Sequence, residues 1–158
     1  MALTLDDLIS SLEESRQFFL KHIDGLTDEQ WEWKPYPECK NVRETIAHLV
    51  ADELTFVESL ESGEEPDYTK YQRLHEQPRE DLLRQLEEAY RARIATIRER
   101  YGSSSMDEEI CVWGWKKKLA PGLLFFSGED FYHAGQVAYI RMATDPSWDY
   151  YMAIFGGG

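Results

Sequence analysis

Apolar residues recur every three or four positions along four long segments of the 158-residue chain, which is the period of one face of an α-helix. The first segment carries Leu5, Leu8, Leu12, Phe19 and Ile23 and opens at "TLDD", where Thr4 suits the cap and Asp7 the third helical position. The second, "NVRETIAHLVADELTFVESLESG", has Asn41 as its cap, Glu44 three residues later and Gly63 as its stop, which predicts a helix over 41–61. A third takes Pro78 into its first turn and ends near Gly102, with Leu83, Leu86, Tyr90, Ile94, Ile97 and Tyr101 as its apolar stripe. Its other faces hold Glu80, Asp81, Arg84, Glu87, Glu88, Arg91 and Arg98, the mixed charge of a solvated surface. Pro121 and Gly122 introduce the fourth, which continues to about Thr144 before "DPSW" breaks it.

The stretches between these segments are polar or rich in helix breakers. Residues 24–40 hold Gly25, Pro35 and Pro37 and read as a connection with a short helical turn around Asp28 to Trp31. "EEPDYTKYQRLHEQ" is a polar linker, and the alternation across Ile110 to Trp115 predicts a short irregular or extended arm near 106–120. Four helices joined by at least one long crossover argue for an all-α four-helix bundle. One domain over 1–155 is expected, with the aromatic segment "SWDYYMAIF" packed back onto the bundle and glycines 156–158 as a disordered tail.

Composition narrows the function classes. A net charge of −13 gives a field that repels phosphate backbones and anionic membrane surfaces, so neither nucleic acid nor membrane is an expected partner. The N-terminus lacks a basic region followed by an apolar run, and no stretch approaches the ~18 apolar residues of a membrane span; a cytoplasmic location is expected. Cys39 and Cys111 stand far apart and in no CxxC, which argues against a disulfide scaffold or a thiolate zinc site.

One part of the fourth helix departs from the apolar pattern. In "GEDFYHAGQVAYIRM" the stripe of Phe126, Val137 and Ile140 also carries Glu129 and His133, flanked by Asp130 and Gln136. Burying such groups unpaired costs about 2–7 kcal/mol even when they are neutral, so something must compensate them. Donors at i and i+4 can share one metal ion, or the pair can satisfy itself or a neighbouring helix by hydrogen bonding. Of the other histidines, His75 lies in a polar linker and reads as solvated, and His22 ends the first helix, where an imidazolium favours the negative pole of the dipole. His48 falls about 160° from the centre of its helix's apolar face, which by periodicity alone leaves it on the surface beside Thr45, Asp52 and Thr55.

"NVRETIAHLVADE" and "EDFYHAGQVAYIRM", in that order, resemble the two ligand-bearing helices of the DinB-like or YfiT-like superfamily of four-helix bundle proteins. "LEEAYRARIATIRERY" is similar to that family's third helix and "HIDGLTDEQWEWKP" to its first connection, so the resemblance covers most of the chain. It implies metal ligands at His48, Glu129 and His133. Glu129 stands where the family's HxxxH motif has its first histidine, and Ala134 where an Arg is usual. Two imidazoles and a carboxylate also occur in zinc sites with an open position and suit iron(II); the family implies zinc or nickel. A degenerate site without metal is the alternative that the substitution raises.

For the family's characterised members the resemblance implies transfer of a low-molecular-weight thiol of the bacillithiol type to an electrophile, or metal-dependent hydrolysis, on small-molecule substrates. An ion with an open position deprotonates a thiol or acidifies a water, and Asp52 and Asp130 are candidates for orienting ligands or moving protons. The contrasting expectation is a metal-free binding or structural protein in which Glu129 and His133 fix helix register. The family also implies a homodimer, for which the 13% aromatic content supplies interface material. "VWGWKKK" reads most simply as a loop packed on the bundle with a solvated lysine run; the other reading has it cover the cleft mouth.

Overall fold

Each long helix begins and ends where its local chemistry dictates. The structure, a computed structural model describing residues 2–156, has α1 at Leu5–Ile23, α2 at Asp28–Glu32, α3 at Val42–Ser62, α4 at Arg79–Tyr101, α5 at Leu119–Thr144 and α6 at Tyr150–Phe155. Thr4, Thr27 and Asn41 form reciprocal capping boxes with Asp7, Gln30 and Glu44, so the first orphan amides of α1, α2 and α3 are satisfied from both sides. Gly63 ends α3 in the left-handed conformation that glycine adopts without steric cost. Pro78 sits at the cap position of α4, one residue before the expected first turn.

α1 packs along α5 and α3 along α4. Ser11 meets Ser127, Arg16 meets Asp130 and Asp24 meets Arg141, so α1 and α5 run in the same direction. α3 and α4 also run in parallel, because the starts of both helices share one apolar cluster and their ends share another. Parallel consecutive helices need a connection that returns along the bundle. Residues 63–78 supply this long crossover, with short 3-10 turns at Tyr68–Tyr71 and Leu74–Glu76 laid against α3.

The core is two apolar clusters. One, around Phe19, Trp31, Ile46, Leu86 and Val137, lies at the α2 end; the other, around Leu12, Phe56, Ile97, Leu123 and Phe126, lies at the hairpin end. A layer of buried charge separates them. Arg16 donates from Nη2 to Glu53 Oε1 at 2.5 Å and from Nε to Asp130 Oδ1 at 3.1 Å, and Arg93 clasps Glu53 through Nε at 2.5 Å and Nη2 at 3.2 Å. Two guanidiniums and two carboxylates balance in charge, and each of the four residues is at most 2% exposed. Burial pulls the Arg16 guanidinium down, but Glu53 and Asp130 outweigh it and its pKa is raised.

This layer corrects the pattern reading of two helices. On α4 the buried line runs through Leu82, Leu86, Ala89, Arg93 and Ile97, while Leu83, Tyr90 and Ile94 are only half-buried. On α5, Asp130 lies deeper than Glu129, which sits at the edge of the stripe. The arm expected near 106–120 is an antiparallel hairpin, β1 (Glu109–Val112) on β2 (Trp115–Lys118), turned at Trp113 and Gly114, both with positive φ. α6 packs on α1 as expected of the aromatic segment, and Gly156 caps it; the other two glycines of the expected tail lie outside the described residues. Among the described residues no helix is long and apolar enough to cross a membrane.

Candidate metal centre

α3 and α5 each carry part of the one group that could hold an ion among the described residues. His48 from α3 and Glu129 and His133 from α5 each present a donor atom, and these atoms all lie within 4.8 Å of one another. The two imidazole rings meet edge to face with centroids 5.1 Å apart. The helical wheel placed His48 at the surface, and the structure corrects this: the ring is about one-third exposed and faces a cleft. The polar side of α3 is not a solvent side, because the crossover turns and the hairpin cover it. Thr45, Asp52, Thr55 and Ser59 on that side are all buried.

His133 is 2% exposed, and its Nδ1 lies 2.7 Å from Gln136 Oε1. An amide oxygen only accepts, so Nδ1 carries a proton, and the tautomer this selects presents its lone pair at Nε2. That buried Nε2 has no hydrogen-bond partner among the described residues; Glu129 Oε2, at 3.6 Å, is beyond hydrogen-bond reach. A lone pair facing a carboxylate is repulsive until a cation or a proton stands between them. With a proton or cation at that Nε2, the His133 ring holds the Glu129 carboxyl below its ordinary range, against the opposing effect of burial. His48 is pushed down to about 4 by burial and by the neighbouring His133 and Lys40, so at neutral pH it is a neutral ligand. The donor set fits a divalent cation: two imidazoles, of which His133 offers an unsatisfied buried lone pair, and one carboxylate.

The group lies at the floor of a cleft of about 890 Å³, walled by Pro35, Tyr36, Tyr132, Tyr139 and Ile140 and bordered by Lys40. A second cleft of about 590 Å³ lies on the other side of His48 and reaches Asp52, Tyr68 and Tyr71. Asp52 Oδ2 stands 3.2 Å from His48 Nε2. Burial first, then Glu129 and Glu53, push its carboxyl up to about 8, so at pH 7 it is mostly protonated. The chain matches the sequence pattern of the DinB superfamily over residues 11–137, a span that contains all three donors. It belongs to the DinB superfamily. No protein of curated function matches the chain.

The remaining sequence candidates fall elsewhere. Asp130 is engaged in the buried charge layer, bonded to Arg16 and to Ser15 Oγ at 3.2 Å, and burial raises its pKa over the opposing effect of the arginines. His22 is buried and held neutral rather than serving as a charged helix terminus: its Nδ1 donates to Phe18 O at 2.7 Å, and desolvation lowers its pKa. His75 is exposed, as expected. The hairpin does not cover the cleft. Trp113 packs against Phe56 and Phe126 and donates from Nε1 to Thr55 Oγ1 at 3.0 Å, while Lys116 and Lys118 pair with surface acids. Cys39 lines both clefts beside His48, and Gln136 orients His133; neither was a sequence candidate for those roles. Gln136 was legible in part, since i+3 spacing from a candidate ligand is the reach of a second contact on one helix face.

Proposed function

We propose that this DinB-superfamily protein binds one divalent metal ion through His48 Nε2 or Nδ1, Glu129 and His133 Nε2, and acts as a metal-dependent enzyme on small molecules admitted to the tyrosine-walled cleft. The supporting observation is the buried, unpartnered Nε2 of His133, whose tautomer Gln136 fixes for coordination. Three protein ligands leave room for a further one, and such an ion supplies Lewis acidity that favours the deprotonated form of a water or a thiol. Zinc or nickel suits the donor set, and two imidazoles with one carboxylate also suit iron(II).

The chain's own groups then have defined tasks. Gln136 holds the His133 ring, and removing such an outer contact typically costs 10–100-fold in metal affinity. Asp52, mostly protonated at pH 7 and within 3.2 Å of His48, can hold or release a proton at Oδ2 beside the centre. Tyr36, Tyr132 and Tyr139 offer apolar faces to a substrate body, and Lys40 offers one positive charge. Hydrolysis uses water as the nucleophile and thiol transfer uses a low-molecular-weight thiol; both need the same deprotonation at the same floor.

Elemental analysis of protein purified without added metal, repeated on His133→Ala, tests the metal reading. Near-stoichiometric metal that is lost in the variant is expected. No metal at any loading, with thermal stability unmoved by Zn²⁺, Ni²⁺ or anaerobic Fe²⁺, overturns it and leaves the Glu129–His133 pair as a metal-free structural contact. Turnover of an activated ester by the loaded protein, with and without added thiol, separates hydrolysis from thiol transfer.

A further inference from the structure

The seam between α1 and α4 is looser than the packing of α1 on α5 or of α3 on α4, and a cavity of about 330 Å³ opens in it. Leu20 and Ile23 of α1 and Leu83 and Leu86 of α4 form its apolar walls. Gly25 and Arg79 border its outer end, and Arg16, 2% exposed, lies at its inner end. The Nε and Nη2 edge of that guanidinium faces Asp130, and Nη2 also reaches Glu53, so the planar group turns Nη1 away from α5 and into the seam. This buried Nη1 has no hydrogen-bond partner among the described residues. Two more buried polar atoms beside it are unpaired, Nη1 of Arg93 and the Tyr90 hydroxyl; the two guanidiniums lie over the Tyr90 ring, 5.1 and 5.2 Å from its centroid. A buried donor left unpaired carries its full desolvation cost, and each such group in a native core calls for a partner.

We infer that this cavity is a second small-molecule site, on the opposite seam of the bundle from the metal centre, for an uncharged molecule with an apolar body and one hydrogen-bond-accepting head such as a carbonyl. The chemistry of the lining selects each part. A guanidinium nitrogen only donates, so Arg16 Nη1 calls for an acceptor. Charge on the ligand is disfavoured, because Glu53 and Asp130 already balance Arg16 and Arg93 in a layer closed between two apolar clusters. Asp24 and Glu87 at the rim repel an anion. Arg79, the other cation of the lining, is engaged by Leu26 O at 3.0 Å, by Asp28 at 3.4 Å and by the face of Trp31. Four aliphatic side chains receive the body. From Arg16 to Ile23 the wall of α1 extends ~10 Å at 1.5 Å per residue, roughly the length of a seven-carbon chain. The volume lies within the range of about 300–1,000 Å³ that small-molecule sites occupy.

Titration of the full chain in EDTA with 2-heptanone, followed by NMR of the methyl groups, tests this. The Leu20, Ile23, Leu83 and Leu86 methyls are expected to shift together and to saturate with a dissociation constant of about 1 mM or below. Each methylene removed from the ketone weakens binding about fourfold. Heptanoate and heptylammonium, which bring a charge to a balanced layer, bind at least about 10-fold more weakly. Leu83→Trp and, on the facing wall, Leu20→Trp fill the cavity from half-buried positions and abolish the shifts while leaving Arg16 and its partners in place. Ile140, in the tyrosine-walled cleft, reports any binding there instead. Shifts confined to Ile140, heptanoate binding as tightly as the ketone, or binding that survives both tryptophans overturns the inference. So does the absence of any shift up to the solubility limit of the ketone, the outcome if water alone satisfies Nη1. Because the titration is made without metal, its failure and the failure of the metal reading are told apart.

Discussion

Replacing Glu53 with Gln should remove a large part of this protein's stability. The Glu53 carboxylate is fully buried and accepts three charged N–H groups, one from Arg16 and two from Arg93. An amide of the same shape offers one oxygen and turns its NH₂ toward a guanidinium donor, so at least one arginine contact becomes repulsive. The layer also goes from neutral to one net positive charge between two apolar clusters. Breaking a buried pair by removing one partner costs about 3–5 kcal/mol, against a total of about 5–15 kcal/mol for a domain. At about 2–4 °C per kcal/mol for a chain of this size, the melting temperature should fall by roughly 10 °C. Urea unfolding followed by circular dichroism at pH 7 in EDTA measures the loss without interference from metal. The double variant Glu53→Gln/Arg93→Met restores charge balance around the remaining Arg16–Asp130 pair and fills the volume over Phe126, so it should recover more than half of that loss. A single-variant cost below about 1 kcal/mol, or a double variant no more stable than the single, would refute the account of the layer as a coupled charge network.

Three further outcomes follow from the site. Gln136→Leu should lower metal affinity 10–100-fold in isothermal titration without changing the fold, because His133 loses the contact that fixes its tautomer. In EDTA, stability should fall as pH rises from about 4 to about 8: the folded carboxyl of Asp52, raised to about 8, holds a proton that the unfolded chain gives up near 3.8, so the folded state binds more protons across that window. Asp52→Asn should flatten this slope, so that its advantage over wild type in urea unfolding grows between pH 5 and pH 8 by up to about 1.4 kcal/mol per pH unit; an unchanged slope would sink this assignment. On the metal reading, Glu129→His would replace a charged ligand with a neutral one, so a bound ion should be a stronger Lewis acid and the ascending, acid-side limb of turnover against pH should move to lower pH.

The four long helices, their caps and the short turn over α2 were legible because capping boxes, glycine stops and 3.6-residue periods are local chemistry. The wheel failed at His48 because periodicity reports which side of a helix is polar, not whether water or a cleft meets that side; the crossover turns and the hairpin make the difference for α3. Arg16, Glu53 and Arg93 were missed because a charged residue in an apolar stripe looks like its edge. Each nonetheless falls on the stripe's own three- and four-residue steps, between Leu12 and Phe19, Val50 and Phe56, and Ala89 and Ile97.

By itself, then, the amino-acid sequence determined the helices, their ends, the bundle class and the two motifs whose resemblance marks the three donor residues. Only the tertiary structure decided that these donors converge, that Asp52 stands beside His48 while Asp130 belongs to the core, and that α1 and α4 leave a cavity between them. The physical reason is range. Caps and periods act within a few residues, whereas protonation, lone-pair satisfaction and exposure depend on what packs against a side chain from helices 80 or more residues away in sequence, as α5 does against α3.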